Sequence, residues 1–283
     1  MLACGEGDTI LCILPLSHVF GFVCSLLWGL AYGATIALNA DVRELFESPM
    51  KYRPTILPTV PSIIESMIKY DVLNPELKVV LIAAAPCSVE TANKLRSRGI
   101  KPYFGYGLTE TSSGIAISQD TDEPDALYPC PEADIRIEPD GEVSVATPCM
   151  MKSYLGYPEL DENYRLYTGD LGWFDEKGRL HLQGRKKDVI ILPDGTKIYC
   201  PEYEQDLAEI CGETDIAVIE RDGHAVLLAG AGTDIDKLRS AVNEYNKTMM
   251  RSQQIYDVEE FGRPLPRTMT GKLRRYELLK RYQ

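Results

Sequence analysis

At 283 residues the chain is long enough for one large or two ordinary domains, and with 45% hydrophobic and 25% charged residues its composition is that of a soluble globular protein. A formal net charge of −12 argues against a phosphate-neutralising surface, so no nucleic-acid partner is expected. Eight cysteines form no CxxC pair and the three histidines lie far apart, which argues against a zinc centre; Cys12, Cys24 and Cys87 sit in apolar runs and read as small hydrophobes of a cytoplasmic protein.

Ile10 to Leu14 is a short apolar run ended by Pro15 and predicts a buried strand. Phe22 to Tyr32 is apolar at nearly every position and predicts a buried helix; Ala34 to Leu38 predicts a second buried strand. The stretch from Ile10 to Leu38 is interrupted by Ser17, His18 and three glycines and has no basic flank, so neither a transmembrane segment nor a signal peptide is expected. Pro61 opens a helix reaching Tyr70, Val79 to Ala84 is a third buried strand, and Ser88 caps a helix that runs to Arg98 and stops at Gly99. Alternating strands and helices imply a parallel sheet with covering helices.

The pattern changes near Pro131. Asp134 to Glu138 and Glu142 to Val145 alternate around a Pro139-Asp140-Gly141 turn, predicting a hairpin of half-exposed strands; Trp173 to Leu182 predicts another. Val189 to Leu192 and Lys197 to Tyr199 flank a turn at 193–195. Pro201 starts a helix ending near Gly212, and Asp215 to Ile219 and Ala225 to Ala229 read as strands. Thr233 or Asp234 caps a helix with Ile235, Leu238, Val242 and Tyr245 on one face. The fold class expected is therefore α/β and α+β: α/β to about residue 130, a β-rich module over 131–183, and a small α+β domain over 184–283, joined at 184–188. A basic cluster near the C-terminus, Arg263, Arg267, Lys272, Arg274, Arg275, Lys280 and Arg281, reads as a solvated helix end.

The most informative stretch runs from Tyr167 to Leu182 and on to Asp188. It sets Asp170, an acceptor suited to both hydroxyls of a ribose, close in sequence to Arg185, a fork of donors suited to sugar or phosphate. Three other segments stand out in order: Pro15 to Gly21, Tyr106 to Thr111, and Pro264 to Arg275. Together the four segments closely resemble the adenylate-forming enzymes, that is acyl-CoA synthetases, luciferases and peptide-synthetase adenylation domains. The wording Gly184 to Ile191 most resembles acyl-CoA synthetases of the fatty-acid type.

That resemblance implies a function and a set of roles. Residues 1–183 would be the C-terminal part of the family's large domain, and 184–283 a small mobile lid pivoting near Lys187. Tyr106, followed by Gly107, would stack on adenine, with the backbone of Ala84, Ala85 and Pro86 lining it where the family usually has glycine. Thr109 would donate to the α-phosphate and Glu110 would hold Mg²⁺. Asp170 and Arg185 would take the ribose, Lys272 would bridge the substrate carboxylate and the α-phosphate, and His18 would gate the acyl and pantetheine tunnel. Each residue also has a plainer reading: a core tyrosine, a loop-end Thr-Glu pair, a turn-capping acid, surface lysines, a satisfied buried histidine.

Val19 to Ser25 carries no acid to pair with a substrate ammonium, so an uncharged acyl or aromatic carboxylic acid is the expected substrate. The implied activity is an ATP-dependent acid–thiol ligase that makes an acyl-AMP and transfers it to CoA or a carrier thiol, with ATP/AMP, Mg²⁺ and CoA as cofactors. One departure stands against it: the family's glycine-, Ser/Thr- and Lys-rich phosphate loop has no counterpart in this chain. The first half of the large domain is then expected to be missing and apolar faces to be exposed. A truncated fragment, one piece of a split enzyme, or a repacked self-associating homologue all fit. The alternative function is a non-catalytic fragment that binds AMP, an acyl-adenylate or a partner chain.

Overall fold

This computed structural model describes residues 2–39, 44–85, 87–118, 123–161, 163–267 and 273–279, apart from the side chains of Tyr276 and Leu279. The chain divides into two compact units, Met1–Thr168 with Gly172–Leu182 and Gly169–Leu171 with Gln183–Gln283. Among the described residues no helix is long and apolar enough to cross a membrane.

In the first unit, strand β1 (Thr9–Cys12) leads into a helix that is π-wound over Gly21–Leu27 and ends in one α turn, α1 (Trp28–Ala31). There follow β2 (Thr35–Leu38), α2 (Ser48–Tyr52), β3 (Ile56–Thr59), α3 (Pro61–Lys69), β4 (Val79–Ile82), α4 (Val89–Arg96), β5 (Lys101–Leu108), β6 (Ser113–Ile117) and β7 (Tyr128–Pro129). These strands form a seven-stranded sheet in the order β2-β1-β3-β4-β5-β6-β7. The pairings from β2 to β5 are parallel, while β6 and β7 run antiparallel. Residues alternate between the two covered faces. Leu11, Leu57, Val80 and Ile82 pack with Ile64, Met67, Ala92 and Leu95 of α3 and α4. On the other face Ile10 and Ile56 meet Trp28, and Leu14, Phe20 and Leu81 meet Cys24. Burial on both faces is why β1, β3 and β4 are almost wholly apolar. Pro61 occupies the first turn of α3, and the Ser88 hydroxyl accepts from the Thr91 amide at 3.1 Å to cap α4.

Several expectations need correction. The helix over Phe22 to Tyr32 is not buried as a whole: Phe22, Leu27, Leu30 and Tyr32 are 42%, 43%, 60% and 62% exposed. The residues it buries are small ones at a spacing of four, Gly21, Ser25 and Gly29. The approach is too close for larger groups, since a Cβ on Gly29 would lie 2.2 Å from Ile36 Cδ1. β2 is an edge strand and Leu38 is 55% exposed, so Ala34 to Leu38 is not buried throughout either. The local sequence pattern does not predict β3 and β5. Pro58 sits inside β3, and Pro102, Gly105 and Gly107 sit inside β5, residues that count against a central strand.

A four-stranded sheet follows, order β11-β10-β9-β8, built from β8 (Asp134–Ile137), β9 (Glu142–Ala146), β10 (Leu166–Phe174) and β11 (Leu180–Arg185). Its first hairpin pairs Ile135 with Val145 and Ile137 with Val143. β8 is half-exposed as its alternation implies, but β9 is buried from Glu142 to Val145 because it lies between two other strands. The dividing line between the units passes through β10 and β11.

The second unit holds β12 (Val189–Ile191) paired antiparallel with β13 (Lys197–Tyr199), then α5 (Cys200–Cys211), β14 (Ile216–Arg221), β15 (His224–Ala229), α6 (Ile235–Asn246), β16 (Ile255–Glu260) and α7 (Arg275–Leu279). β14, β15 and β16 form a sheet, antiparallel then parallel. Tyr203, Leu207, Leu238, Val242 and Tyr245 of α5 and α6 cover one face. Phe261, Leu265 and Leu278 cover the other. Asp234, not Thr233, caps α6 by accepting from the Lys237 amide at 3.1 Å.

The C-terminal cations are not uniformly a solvated helix end. Arg275 is 8% exposed. Its Nη2 reaches both Glu204 carboxylate oxygens at 2.8 and 2.7 Å, its Nε reaches Asp188 at 2.9 Å, and its Nη1 donates to the Val218 carbonyl at 2.9 Å. Burial works against this charge, but Glu204 and Asp188 around it raise its pKa further.

Candidate functional site

Because β1, β4 and β5 are parallel, the segments that follow them leave the sheet at one edge, the carboxyl edge, where open α/β sheets bind ligands. His18 follows β1, Ala84 and Ala85 follow β4, and Thr109 and Glu110 follow β5. His18 is exposed, which corrects the reading as a satisfied buried histidine; its Nδ1 accepts from the Phe20 amide at 3.4 Å. The adjoining helix reaches the Thr109 segment directly, with Cys24 Sγ 3.3 Å from Ser113 Oγ. Burial pushes the Cys24 thiol up, with the Ser113 contact opposing it.

Ala84 and Ala85 are exposed, and Ala84 has φ of +74°, in the left-handed region that favours glycine. A backbone strained at this position is held by its surroundings. Ala84→Gly is therefore expected to stabilise the protein by about 1 kcal/mol, the strain relieved exceeding the added freedom of the unfolded chain. A higher urea midpoint for the variant agrees; an unchanged or lower one contradicts.

Tyr106 is half-buried and packs against the main core, so the core-tyrosine reading holds for part of its surface. Gly107 is required sterically. It sits at a register shift between β5 and β6, and a Cβ there would fall 1.7 Å from the Ser113 carbonyl oxygen. The residues after it form a tight 3₁₀ turn, Thr109–Thr111. The Thr111 hydroxyl accepts from the Leu108 amide at 3.1 Å and faces the carbonyls of Leu108 at 3.1 Å and Ser113 at 2.9 Å. That network holds Ser112 and Ser113 at φ of 54° and 105°. Thr109 is exposed at the turn. Glu110 is gripped twice: its carbonyl accepts from the Met151 amide at 2.7 Å and its Oε1 accepts from the Tyr154 hydroxyl at 2.9 Å. The Glu110 carboxylate keeps the Tyr154 phenol protonated and raises its pKa. Ser113 and Tyr154 escape the sequence reading and Cys24 reads there only as a small hydrophobe, since none sits in a periodic or charged pattern that sets it apart.

In the second unit Asp170 and Arg185 come together. Arg185 Nε lies 2.7 Å from Asp170 Oδ1, with the Arg185 side chain 44% exposed and that of Asp170 8% exposed. Lys187 is exposed on a 3₁₀ turn, Lys186–Asp188. Pro86 and Lys272 lie outside the described residues. No group of three or more His, Cys, Asp or Glu among the described residues could hold a metal by protein ligands alone. A single carboxylate such as Glu110 fits Mg²⁺, which keeps waters and takes phosphate oxygens for most of its shell.

The comparisons bear on these residues. Residues 2–155 match the family described as AMP-binding enzyme. The chain is similar to 4-coumarate-CoA ligase 1 of Narcissus pseudonarcissus, 28% identical over 96% of this chain and 56% of the relative. It is also similar to the long-chain-fatty-acid–CoA ligase of Bacillus subtilis, 28% identical over 97% of this chain and 54% of the relative. Among solved structures it is similar to the O-succinylbenzoate coenzyme A synthetase of Bacillus subtilis in complex with ATP and magnesium ion, with TM-score 0.79 and 26% identity over 97% of this chain and 62% of that one. The chain thus spans little more than half the length of the curated relatives it matches. With more than half of its residues matching that family, and the segments at 15–21 and 106–111 inside the matched range, this chain belongs to the AMP-binding enzymes, the adenylate-forming superfamily.

Proposed function

We propose that these residues serve an ATP-dependent acid–thiol ligase. In the first step a carboxylate oxygen attacks the α-phosphorus of ATP and the bond to pyrophosphate breaks, leaving an acyl-AMP. In the second a CoA or carrier thiol attacks the acyl carbon, loses its proton and releases AMP. The observation that carries the reading is the locked Thr109–Thr111 turn at the carboxyl edge of the parallel sheet, which presents a donor and a carboxylate side by side.

In this reading Thr109 donates to the α-phosphate and Glu110 holds Mg²⁺ through a carboxylate oxygen. Tyr106, Gly107 and the backbone of Ala84, Ala85 and Pro86 receive adenine. The buried Asp170 carboxylate, oriented by Arg185, accepts from ribose hydroxyls. Lys272 bridges the reacting groups, the residues from 184 to 188 are the hinge with Lys187 at its centre, and His18 gates the acyl and thiol path. The first unit with residues up to 183 is the large-domain part, and 184–283 the lid. The substrate is an uncharged acyl or aromatic carboxylic acid. The exposed Phe22, Leu27, Leu30, Tyr32 and Leu38 support a second chain, or a second copy, as the partner that completes the assembly. Eight free cysteines support a reducing, cytoplasmic setting.

A second reading is a module that binds AMP or an acyl-adenylate without catalysis. Incubation with ATP, Mg²⁺ and a panel of fatty and aromatic acids separates the two. Acid-dependent pyrophosphate release supports the ligase, and AMP binding without it supports the second reading.

A further inference from the structure

We propose that Tyr154 is a positioning residue for the metal-binding carboxylate, an inference that rests on the ligase reading and extends it. Glu110 sits on a turn whose own hydrogen bonds, made by Thr111, fix the backbone and do not involve its carboxylate. A carboxylate that must meet a cation with near-octahedral demands gains from being held in one rotamer before the cation arrives. The neighbouring turn at 109–111 offers no donor to Glu110 Oε1 in the contacts described above. The donor comes from forty-four positions on in the sequence, the Tyr154 hydroxyl at 2.9 Å.

The loop that carries Tyr154 is built to deliver it. The Met151 amide donates to the Glu110 carbonyl at 2.7 Å, so the same residue is held by backbone and by side chain. The loop then closes on itself, with the Tyr157 amide donating to the Tyr154 carbonyl at 3.0 Å and the Leu160 amide to the Lys152 carbonyl at 2.7 Å. A phenol is well matched to this role, because it can donate but carries no charge to compete with the metal, whereas a lysine there would neutralise the carboxylate. With Oε1 held by Tyr154, Oε2 would be the carboxylate oxygen left for the cation. The spacing explains a feature of the sequence that the motif segments leave aside: an exposed aromatic in a polar loop, Lys152-Ser153-Tyr154-Leu155-Gly156.

The test is the Mg²⁺ dependence of ATP binding, measured by calorimetry on the whole chain with any partner it needs. Tyr154→Phe removes the hydroxyl and keeps the ring. It is expected to raise the Mg²⁺ concentration for half-maximal ATP binding about fivefold, with AMP affinity in the absence of Mg²⁺ and the melting temperature unchanged. In a Glu110→Gln background the same substitution is expected to have no further effect. No shift, or an equal shift in both backgrounds, overturns the proposal. Failure of the underlying ligase reading looks different, since the wild type itself then shows no Mg²⁺-dependent ATP binding. In that case the contact is judged alone by ¹³C-tyrosine NMR. A Tyr154 ring resonance that shifts in Glu110→Gln at fixed neutral pH supports the clamp, and one that does not move overturns it.

Discussion

Lys272→Ala is expected to lower acyl-adenylate formation about a hundredfold or more while changing AMP affinity by less than about threefold. The proposed reaction joins an anionic carboxylate to an anionic phosphate, and charge would build on the oxygens between them as the bond to pyrophosphate lengthens. An ammonium at that point stabilises the transition state far more than the bound nucleotide, so its loss falls on rate and not on ground-state binding. In the proposed function Lys272 is assigned this role from its Thr-Gly-Lys-Leu-Arg context, and a lysine side chain has the length the role requires. The check is single-turnover pyrophosphate release, read beside calorimetric titration of AMP. Equal rates for variant and wild type remove Lys272 from the chemistry, and a parallel loss of AMP binding assigns it to the nucleotide pocket instead.

Arg275→Ala is expected to destabilise the second unit by about 3–5 kcal/mol. The guanidinium makes a bidentate contact with Glu204, a further one with Asp188 and one with the Val218 carbonyl, all from a residue 8% exposed. Removing it leaves the Glu204 carboxylate enclosed with only the Val218 amide, at 2.6 Å, as a donor among the contacts described. It also frees Asp188, at the junction toward the proposed hinge. Lysine should not substitute, because one ammonium cannot match a fork that serves two carboxylates and a carbonyl at once. Urea denaturation followed by the far-UV circular dichroism signal measures the loss. A midpoint within experimental error of wild type would mean the network contributes no net stability.

The parts of the fold that were legible in the sequence are those where one local signal dominates. Ile10 to Leu14 and Val79 to Ala84 are apolar runs between breakers, and they are interior parallel strands. The hairpin at 134–145 announces itself by alternation around a Pro-Asp-Gly turn, and the one at 189–199 by two short runs that flank a second such turn. Ser88, Asp234 and Pro61 mark helix starts by chemistry that works within one turn. The failures come where tertiary contacts override the local signal. Pro58 lies in β3 among neighbours that supply the burial its missing amide would argue against. The helix after Gly21 is so uniformly apolar that its period is hidden, and its inward face is set by close approach of Gly29 to Ile36, which sequence does not reveal. Arg275 reads as one cation among many until Glu204 and Asp188 are brought to it from distant positions.

The candidate site divides the same way. Asp170, Arg185, Tyr106, Thr109 and Glu110 were named from short ordered segments, whose residue types state the chemistry they can do. The long-range contacts around them were not. Cys24 meets Ser113 and Tyr154 meets Glu110 across separations of 89 and 44 residues, and long-range pairs of this kind leave no trace in local spacing. Gly107 stands between the two cases: a glycine in a motif is visible, but its reason, the Ser113 carbonyl oxygen occupying the place of a Cβ, is structural.

The central claim is that this chain takes up the adenosine monophosphate group. Isothermal titration of the purified chain with AMP tests it most directly. Saturable one-to-one binding that is lost in Asp170→Ala and retained in Lys272→Ala is the predicted result. Absence of any AMP heat from a folded chain, both alone and together with a partner that completes it, would contradict the account.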